Sequence, residues 1–268
     1  MTIRAFLKTT EHPDARLLIT GLKDWTLSEF LLHLDDELSK EEETAFRRGI
    51  ERISAGEPLQ YVLQKAPFYG RDFFVDQRVL IPRFDSEILV QEALKAIPES
   101  GTCKVLDCCT GSGCLGLTIL AERPSVRMTL SDLSADALTV AAVNAKAMQF
   151  SPALVWSDLF TQIEETFSVI VCNPPYIPTA VIGTLDENVR DHEPRIALDG
   201  GKDGLHFYRR IAAEAGAHLE KGGLLFLEIG FDQGKAVFRL LSEAGFRDIR
   251  IIKDLSGLDR VVKACWNN

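Results

Sequence analysis

The chain has 268 residues, 46% of them apolar and 26% charged, with a formal net charge of -9 at pH 7. That is enough apolar material for one large domain and a small one. The acidic balance, with Lys and Arg scattered rather than blocked, excludes a surface built to track a phosphate backbone over a long distance.

Met1 to Leu7 holds no long apolar run, so neither a secretory signal nor a membrane anchor is expected, and the protein is expected to be soluble and cytoplasmic. From Thr2 to about Leu63 the apolar residues recur at helical spacing. Thr26 with Glu29, and Ser39 with Glu42, fit the capping box, in which two side chains satisfy orphan backbone donors of the first turn. After the second box Phe46, Ile50 and Ile53 share a face, and Gly56 before Glu57-Pro58 ends the helix. Residues 1–65 are thus expected to be a small helical bundle. Between Pro67 and Ile81 the runs Phe68-Tyr69 and Phe73-Phe74-Val75, broken by Gly70, predict a β-hairpin linker over 66–81.

From Lys104 onward short apolar runs alternate with helical stretches. Val105-Leu106 precedes a helix from Leu115 to Ala121; Met128 to Leu130 precedes one from Ala135 to Met148; strands at Leu154 to Trp156 and Val169 to Val171 follow. A helix around Leu205 to Leu219, a strand from Leu224 to Ile229, a helix from Val237 to Ala244 and strands near Ile249 to Ile252 and Arg260 to Ala264 close the chain. Such alternation requires crossovers, hence an α/β domain over 82–268 with a mostly parallel sheet covered on both faces.

The six cysteines, Cys103, Cys108, Cys109, Cys114, Cys172 and Cys265, have no Cys-x-x-Cys spacing. They read as small buried hydrophobes in a reducing compartment, and no metal is expected. The five histidines read as surface or capping residues, with no spacing that demands catalysis.

The first strand of the alternating region runs into Asp107-Cys108-Cys109-Thr110-Gly111-Ser112-Gly113, immediately before a helix. Glycines there let backbone approach a ligand, and the helix start presents free N–H groups; tight packing alone would also use them. The next strand ends in Ser131-Asp132, about 20 residues on, where a carboxylate accepts from ribose hydroxyls or else caps the following helix. The turn lacks the full Gly-x-Gly-x-x-Gly pattern, which favours a ligand with one adenosine and no pyrophosphate; S-adenosylmethionine is such a ligand. Asp158 and Leu159 stand at the end of the third strand, suited to an adenine amino group and ring or to a simple turn.

The fourth strand runs into Asn173-Pro174-Pro175-Tyr176. Two prolines fix φ, restrict the residue before them and lack N–H, so the Asn173 side-chain oxygen and the Pro174 carbonyl become acceptors aimed at one point. A glutamine amide nitrogen, whose lone pair is delocalised, would be held by both, with Tyr176 packed on the flat amide. No base is needed before attack.

At these residues the chain resembles the release-factor glutamine methyltransferases, over nearly its whole length. The similar stretches include Gly56 to Tyr61, Leu80 to Arg83, Asp107 to Gly113, Asn173 to Tyr176, Glu193-Pro194-Arg195, Gly200 to Leu205, Glu228-Ile229-Gly230 with Gln233-Gly234, and Asp254 to Arg260. The resemblance implies a class I methyltransferase fold, Rossmann-like, with a seven-stranded sheet and an N-terminal substrate-binding bundle. It implies that Asp107 and Cys109, Thr110, Gly111, Ser112 and Gly113 line the methionine part of S-adenosylmethionine, Asp132 the ribose, and Asp158 and Leu159 the adenine. S-adenosylhomocysteine would be the product. Asn173, Pro174, Pro175 and Tyr176 would take the glutamine of a Gly-Gly-Gln tripeptide in class I peptide chain release factors, with Asn173 also beside the cofactor. A monomer acting on protein, without direct nucleic-acid or membrane binding, is expected.

Phe84, where the family has Pro after Arg, and Cys108-Cys109, in place of Leu followed by Gly or Cys, depart from the pattern. Two alternatives remain open at this point. One is an adenine-amino methyltransferase acting on RNA or DNA, which shares Asn-Pro-Pro-Tyr; the other is a noncatalytic module with the same fold.

Overall fold

A computed structural model describes residues 1–267. The chain divides into two units, Met1–Lys65 with Asp186–His192, and Ala66–Leu185 with Glu193 onward.

The first unit holds helices α1 (Ile3–Thr10), α2 (Ala15–Lys23), α3 (Leu27–Leu32), α4 (Lys40–Ser54) and α5 (Leu59–Leu63). Both capping boxes form. Thr26 Oγ1 accepts from Glu29 N at 3.2 Å while Glu29 Oε2 accepts from Thr26 N at 2.7 Å. Ser39 Oγ and Glu42 repeat the exchange at 3.1 and 2.8 Å. These bonds start α3 and α4 where the sequence places them, and α4 stops just before Gly56, at φ +90°. Phe6, Ile19, Phe30 and Phe46 form the core, with Ile50 packed against it.

The second unit opens with the hairpin β1 (Ala66–Phe68) and β2 (Arg71–Phe73). Tyr69 and Gly70, at φ +51° and +71°, make the two-residue turn whose twist suits antiparallel strands. Then come α6 (Glu87–Ala96), β3 (Lys104–Cys108), α7 (Cys114–Glu122), β4 (Arg127–Asp132), α8 (Ala135–Ala147), β5 (Ala153–Trp156), β6 (Phe167–Cys172) and α9 (Thr179–Ile182). The short α10 (Glu187–Arg190) belongs to the first unit. The chain ends through α11 (His206–Glu214), β7 (Leu219–Glu228), α12 (Gly234–Glu243), β8 (Arg247–Lys253) and β9 (Asp259–Trp266).

The seven-stranded sheet has the order β5-β4-β3-β6-β7-β9-β8. Its first five strands are parallel, and β9 runs antiparallel to both β7 and β8. Side chains alternate between two cores. Val105, Val169, Val171 and Phe226 pack with Leu89 and Val90 of α6 and Leu117 of α7. Leu106, Ile170, Leu225 and Leu227 pack with Tyr208 and Ile211 of α11 and Val237 of α12. From β3 the chain winds outward to β4 and β5, then returns to β6 on the other side. The reversal opens a crevice at the carboxyl ends of β3 and β6.

Helices α6, α9 and α10 have no counterpart in the sequence expectation, and α11 ends earlier than expected. Helix α6 follows its N-cap Ser86 and stops just before Pro98, and its apolar face is set by the sheet it covers. The helix expected to reach Leu219 ends at Glu214 and passes through a 3-10 turn, Ala215–His218. Gly216 there approaches the Trp266 ring so closely that a Cβ would lie 2.6 Å from it, and Leu219 already pairs with Phe167 of β6. Among the described residues no helix is long and apolar enough to cross a membrane.

Candidate functional site

The loop after β3 is fixed from beneath. Asp107 is wholly buried, and its Oδ2 accepts from Thr110 Oγ1 at 2.6 Å and Gly116 N at 2.9 Å. A Cβ on Gly116 would lie 2.3 Å from Leu130 and 3.0 Å from Asp107, so only glycine lets α7 settle this close. Burial pushes the Asp107 carboxyl up to about 7, against the two hydrogen bonds. Above it Gly111, at φ +55°, turns toward open space. Asn144 of α8, itself buried, donates to Ser112 O at 2.9 Å and to Phe74 O at 3.0 Å, and accepts from Phe74 N at 2.7 Å. It thereby ties the loop to the segment following the hairpin.

Asp132, at the end of β4, reaches across to this loop. Its Oδ2 accepts from Gly111 N at 2.8 Å and its Oδ1 from Ser134 N at 2.9 Å. The helix α8 is capped by Ser134 instead, which accepts from Ala137 N. Burial raises the Asp132 pKa, opposed by those N–H groups. Beyond β5, Leu159 is buried at φ +51°, and Asp158 Oδ1 accepts from Arg210 Nη1 at 2.8 Å. One oxygen of Asp158 is therefore already engaged.

The loop after β6 is fixed by backbone. Asn173 Nδ2 donates to Ser86 Oγ at 3.4 Å, which leaves the amide oxygen as its acceptor. The Tyr176 hydroxyl points away, donating to Glu228 Oε1 at 3.4 Å, while Tyr176 O accepts from Gln233 Nε2 at 2.9 Å. Glu228 is buried; desolvation raises its pKa, countered by the Ser86 hydroxyl and the Arg260 charge. Ile177 N donates to Leu198 O at 3.0 Å, and Gly200 N to Ile177 O at 2.8 Å. A Cβ on Gly200 would lie 2.7 Å from the Tyr176 backbone, and one on Gly204, at φ +72°, 2.3 Å from Tyr176 O. The glycine-rich loop is thus a cradle for the back of Asn-Pro-Pro-Tyr.

A cleft lies between the two loops. Cys109, Thr110, Gly111 and Ser112 of the first loop line it, with Asp132, Asp158 and Leu159 from the ends of the next two strands and Asn173 and Pro175 of the second loop. Asp107, Gly113, Pro174 and Tyr176 do not line it: Asp107 supports the loop from below, Gly113 is the cap residue of α7, Pro174 is buried and Tyr176 turns to Glu228. Sequence reasoning missed Val79, Ser86 and Phe207, which also line the cleft. Leu80 to Arg83 did stand out as a stretch, and the structure supplies its anchor: Arg83 pairs with Glu193, whose Oε2 also accepts from Ile81 N at 3.3 Å. Burial pushes the Glu193 carboxyl up while the Arg83 charge opposes it.

Residues 84–184 match a family described as the methyltransferase small domain, and residues 3–63 one described as the PrmC N-terminal domain. A release factor glutamine methyltransferase of Caulobacter vibrioides is 42% identical over 257 residues, covering 95% of this chain and 89% of that protein. One of Geobacter sulfurreducens is 40% identical over 248 residues, covering 89% and 87%. A solved methyltransferase from Pyrococcus furiosus has the same fold, with a TM-score of 0.57 at 17% identity over 81% of this chain and 98% of that one.

Proposed function

Because this chain belongs to the release factor glutamine methyltransferase family, we propose that its cleft binds S-adenosylmethionine beside the Asn173 loop and methylates the glutamine amide of a Gly-Gly-Gln tripeptide. The observation that carries this is Asn173: its NH₂ is committed to Ser86, so its oxygen is left to accept, on a wall facing the Gly111 turn and Asp132.

The residues present suit the cofactor. Ser112 Oγ is buried on the cleft wall with no hydrogen-bond partner among the described residues, and the backbone at Gly111 is open to close approach. Asp132 would accept from the ribose hydroxyls; Leu159 and the remaining valence of Asp158 would meet the adenine. When bound, S-adenosylmethionine supplies a methyl group on a positively charged sulfur.

Asn173 Oδ1 would accept from the N–H of the substrate carboxamide, orienting its nitrogen and favouring the positive charge that grows there, while Pro174, buried behind the cleft wall, would stiffen the corner rather than touch substrate. The two prolines keep that corner from relaxing. The proton leaves the product nitrogen after transfer, so no side chain is asked to act as base. Tyr176 serves through its backbone, held by Gln233 and the Gly200–Gly204 loop, rather than through its hydroxyl.

Purified enzyme with labelled cofactor, offered a release factor and RNA or DNA in parallel, tests the proposal. A single methyl on the tripeptide glutamine, found by mass spectrometry of release-factor peptides, is expected; label in nucleic acid alone would refute it in favour of an adenine-amino activity.

A further inference from the structure

The cysteine spacing predicts no metal site, yet folding brings Cys172 of β6 to Cys108 and Cys109 at the end of β3. The three sulfurs lie within 4.8 Å of one another. Cys108 and Cys172 face each other across the parallel ladder, are both essentially inaccessible and pack into the same core. Cys109, at φ +59°, lines the cleft. None of the three is in a disulfide. Neighbouring positions on that face are Leu106, Ile170, Leu225 and Leu227, so packing alone would be served by aliphatic carbon.

We propose that Cys108, Cys109 and Cys172 form a three-thiolate site for a thiophilic divalent cation such as zinc, with the fourth coordination position open to the cleft. With zinc–sulfur bonds of about 2.3 Å, tetrahedral geometry puts sulfurs roughly 3.8 Å apart, a contraction within reach of small side-chain rotations. Among the described residues no carboxylate or imidazole joins the group, a donor set that selects soft cations. Binding breaks three S–H bonds, forms three sulfur–metal bonds and releases three protons to solvent, with no change of oxidation state. Because each sulfur must shed its proton to bind, affinity rises with pH.

Cys172 is bonded directly to Asn173, and Cys109 belongs to the turn opposite. A cation joining them ties the Asn173 loop to the opposite turn and fixes their spacing, so it inhibits. Binding itself does not depend on the proposed reaction; only the inhibition does.

Titrating the reduced full chain with cobalt(II) should give a thiolate-to-metal charge-transfer band saturating at one equivalent and displaced by zinc. Cys108→Ala and Cys172→Ala should each abolish the band while still binding S-adenosylhomocysteine, which shows that they fold. The band should persist when Cys103, Cys114 and Cys265 are replaced by Ala. Zinc at one equivalent should inhibit methyl transfer by wild type and not by Cys108→Ala. No band in wild type, or one that survives both Cys108→Ala and Cys172→Ala, overturns the site; equal inhibition of wild type and Cys108→Ala overturns its link to the cleft.

Discussion

The loops after β3 and β6 leave adjacent parallel strands at the same sheet edge, yet they are held by different physics. The first rests on side chains: the buried Asp107 carboxyl under Thr110 and Gly116, and Asp132 reaching back to Gly111. The second rests on covalent stiffness and backbone, with two prolines, the Ile177–Gly200 exchange, and glycines pressed against Tyr176. A carboxylate-held turn adjusts with its ligand and with pH. A proline-held corner offers fixed acceptors, which suits the place where charge develops.

Replacing the acceptor itself breaks the second loop's chemistry without touching its frame. Asn173→Ala should lower kcat roughly 10²- to 10³-fold, with S-adenosylhomocysteine affinity by calorimetry little changed; wild-type turnover would remove Asn173 from the mechanism. Asp132→Ala should do the reverse, weakening cofactor binding by about 1.5–3 kcal/mol and frayed turn geometry at Gly111, while turnover at saturating cofactor stays closer to wild type. Unchanged cofactor affinity would mean that Asp132 only braces the turn.

Gly204→Ala attacks the frame instead. A Cβ 2.3 Å from Tyr176 O, at a φ of +72°, should cost roughly 1–3 kcal/mol in chemical denaturation and lower kcat along with it. A stable variant with normal kcat would show that the Asn-Pro-Pro-Tyr corner does not depend on its cradle.

The first loop should answer to pH. The Asp107 carboxyl titrates at about 7 in the fold against an ordinary 3.8, so the folded state holds a proton that the unfolded chain releases. Its contribution is fully present below 3.8 and is lost as pH rises to about 7, by at most roughly 1.4 kcal/mol per pH unit. Asp107→Asn resembles the protonated form. The Tm of Asp107→Asn should thus gain on wild type from pH 4 to pH 8; parallel curves would assign the titration elsewhere.

Much of this architecture is legible along the chain because its signals are local. Capping boxes at Thr26 and Ser39 depend on side chains three residues apart, and the hairpin turn on Tyr69-Gly70 alone. The Gly turn and Asn-Pro-Pro-Tyr announce themselves by backbone chemistry that no other residues supply. What escaped is long-range: Asn144 reaching Phe74 and Ser112, Ser86 reaching Asn173, and Glu193 reaching Ile81 and Arg83.

By itself, then, the sequence determined the order of the strands and of the helices other than α6, α9 and α10, and the positions of the two cleft-lining loops, since propensity, capping and proline restraint act over a few residues. Tertiary structure alone decided which members of each motif face the cleft. Asp107 and Tyr176 sit inside their motifs but turn to Gly116 and Glu228, because a buried polar group goes where partners are available, and those partners lie on other elements. The meeting of Cys108, Cys109 and Cys172 was likewise set by the pairing of β3 with β6, a contact between residues more than sixty positions apart that no local pattern encodes.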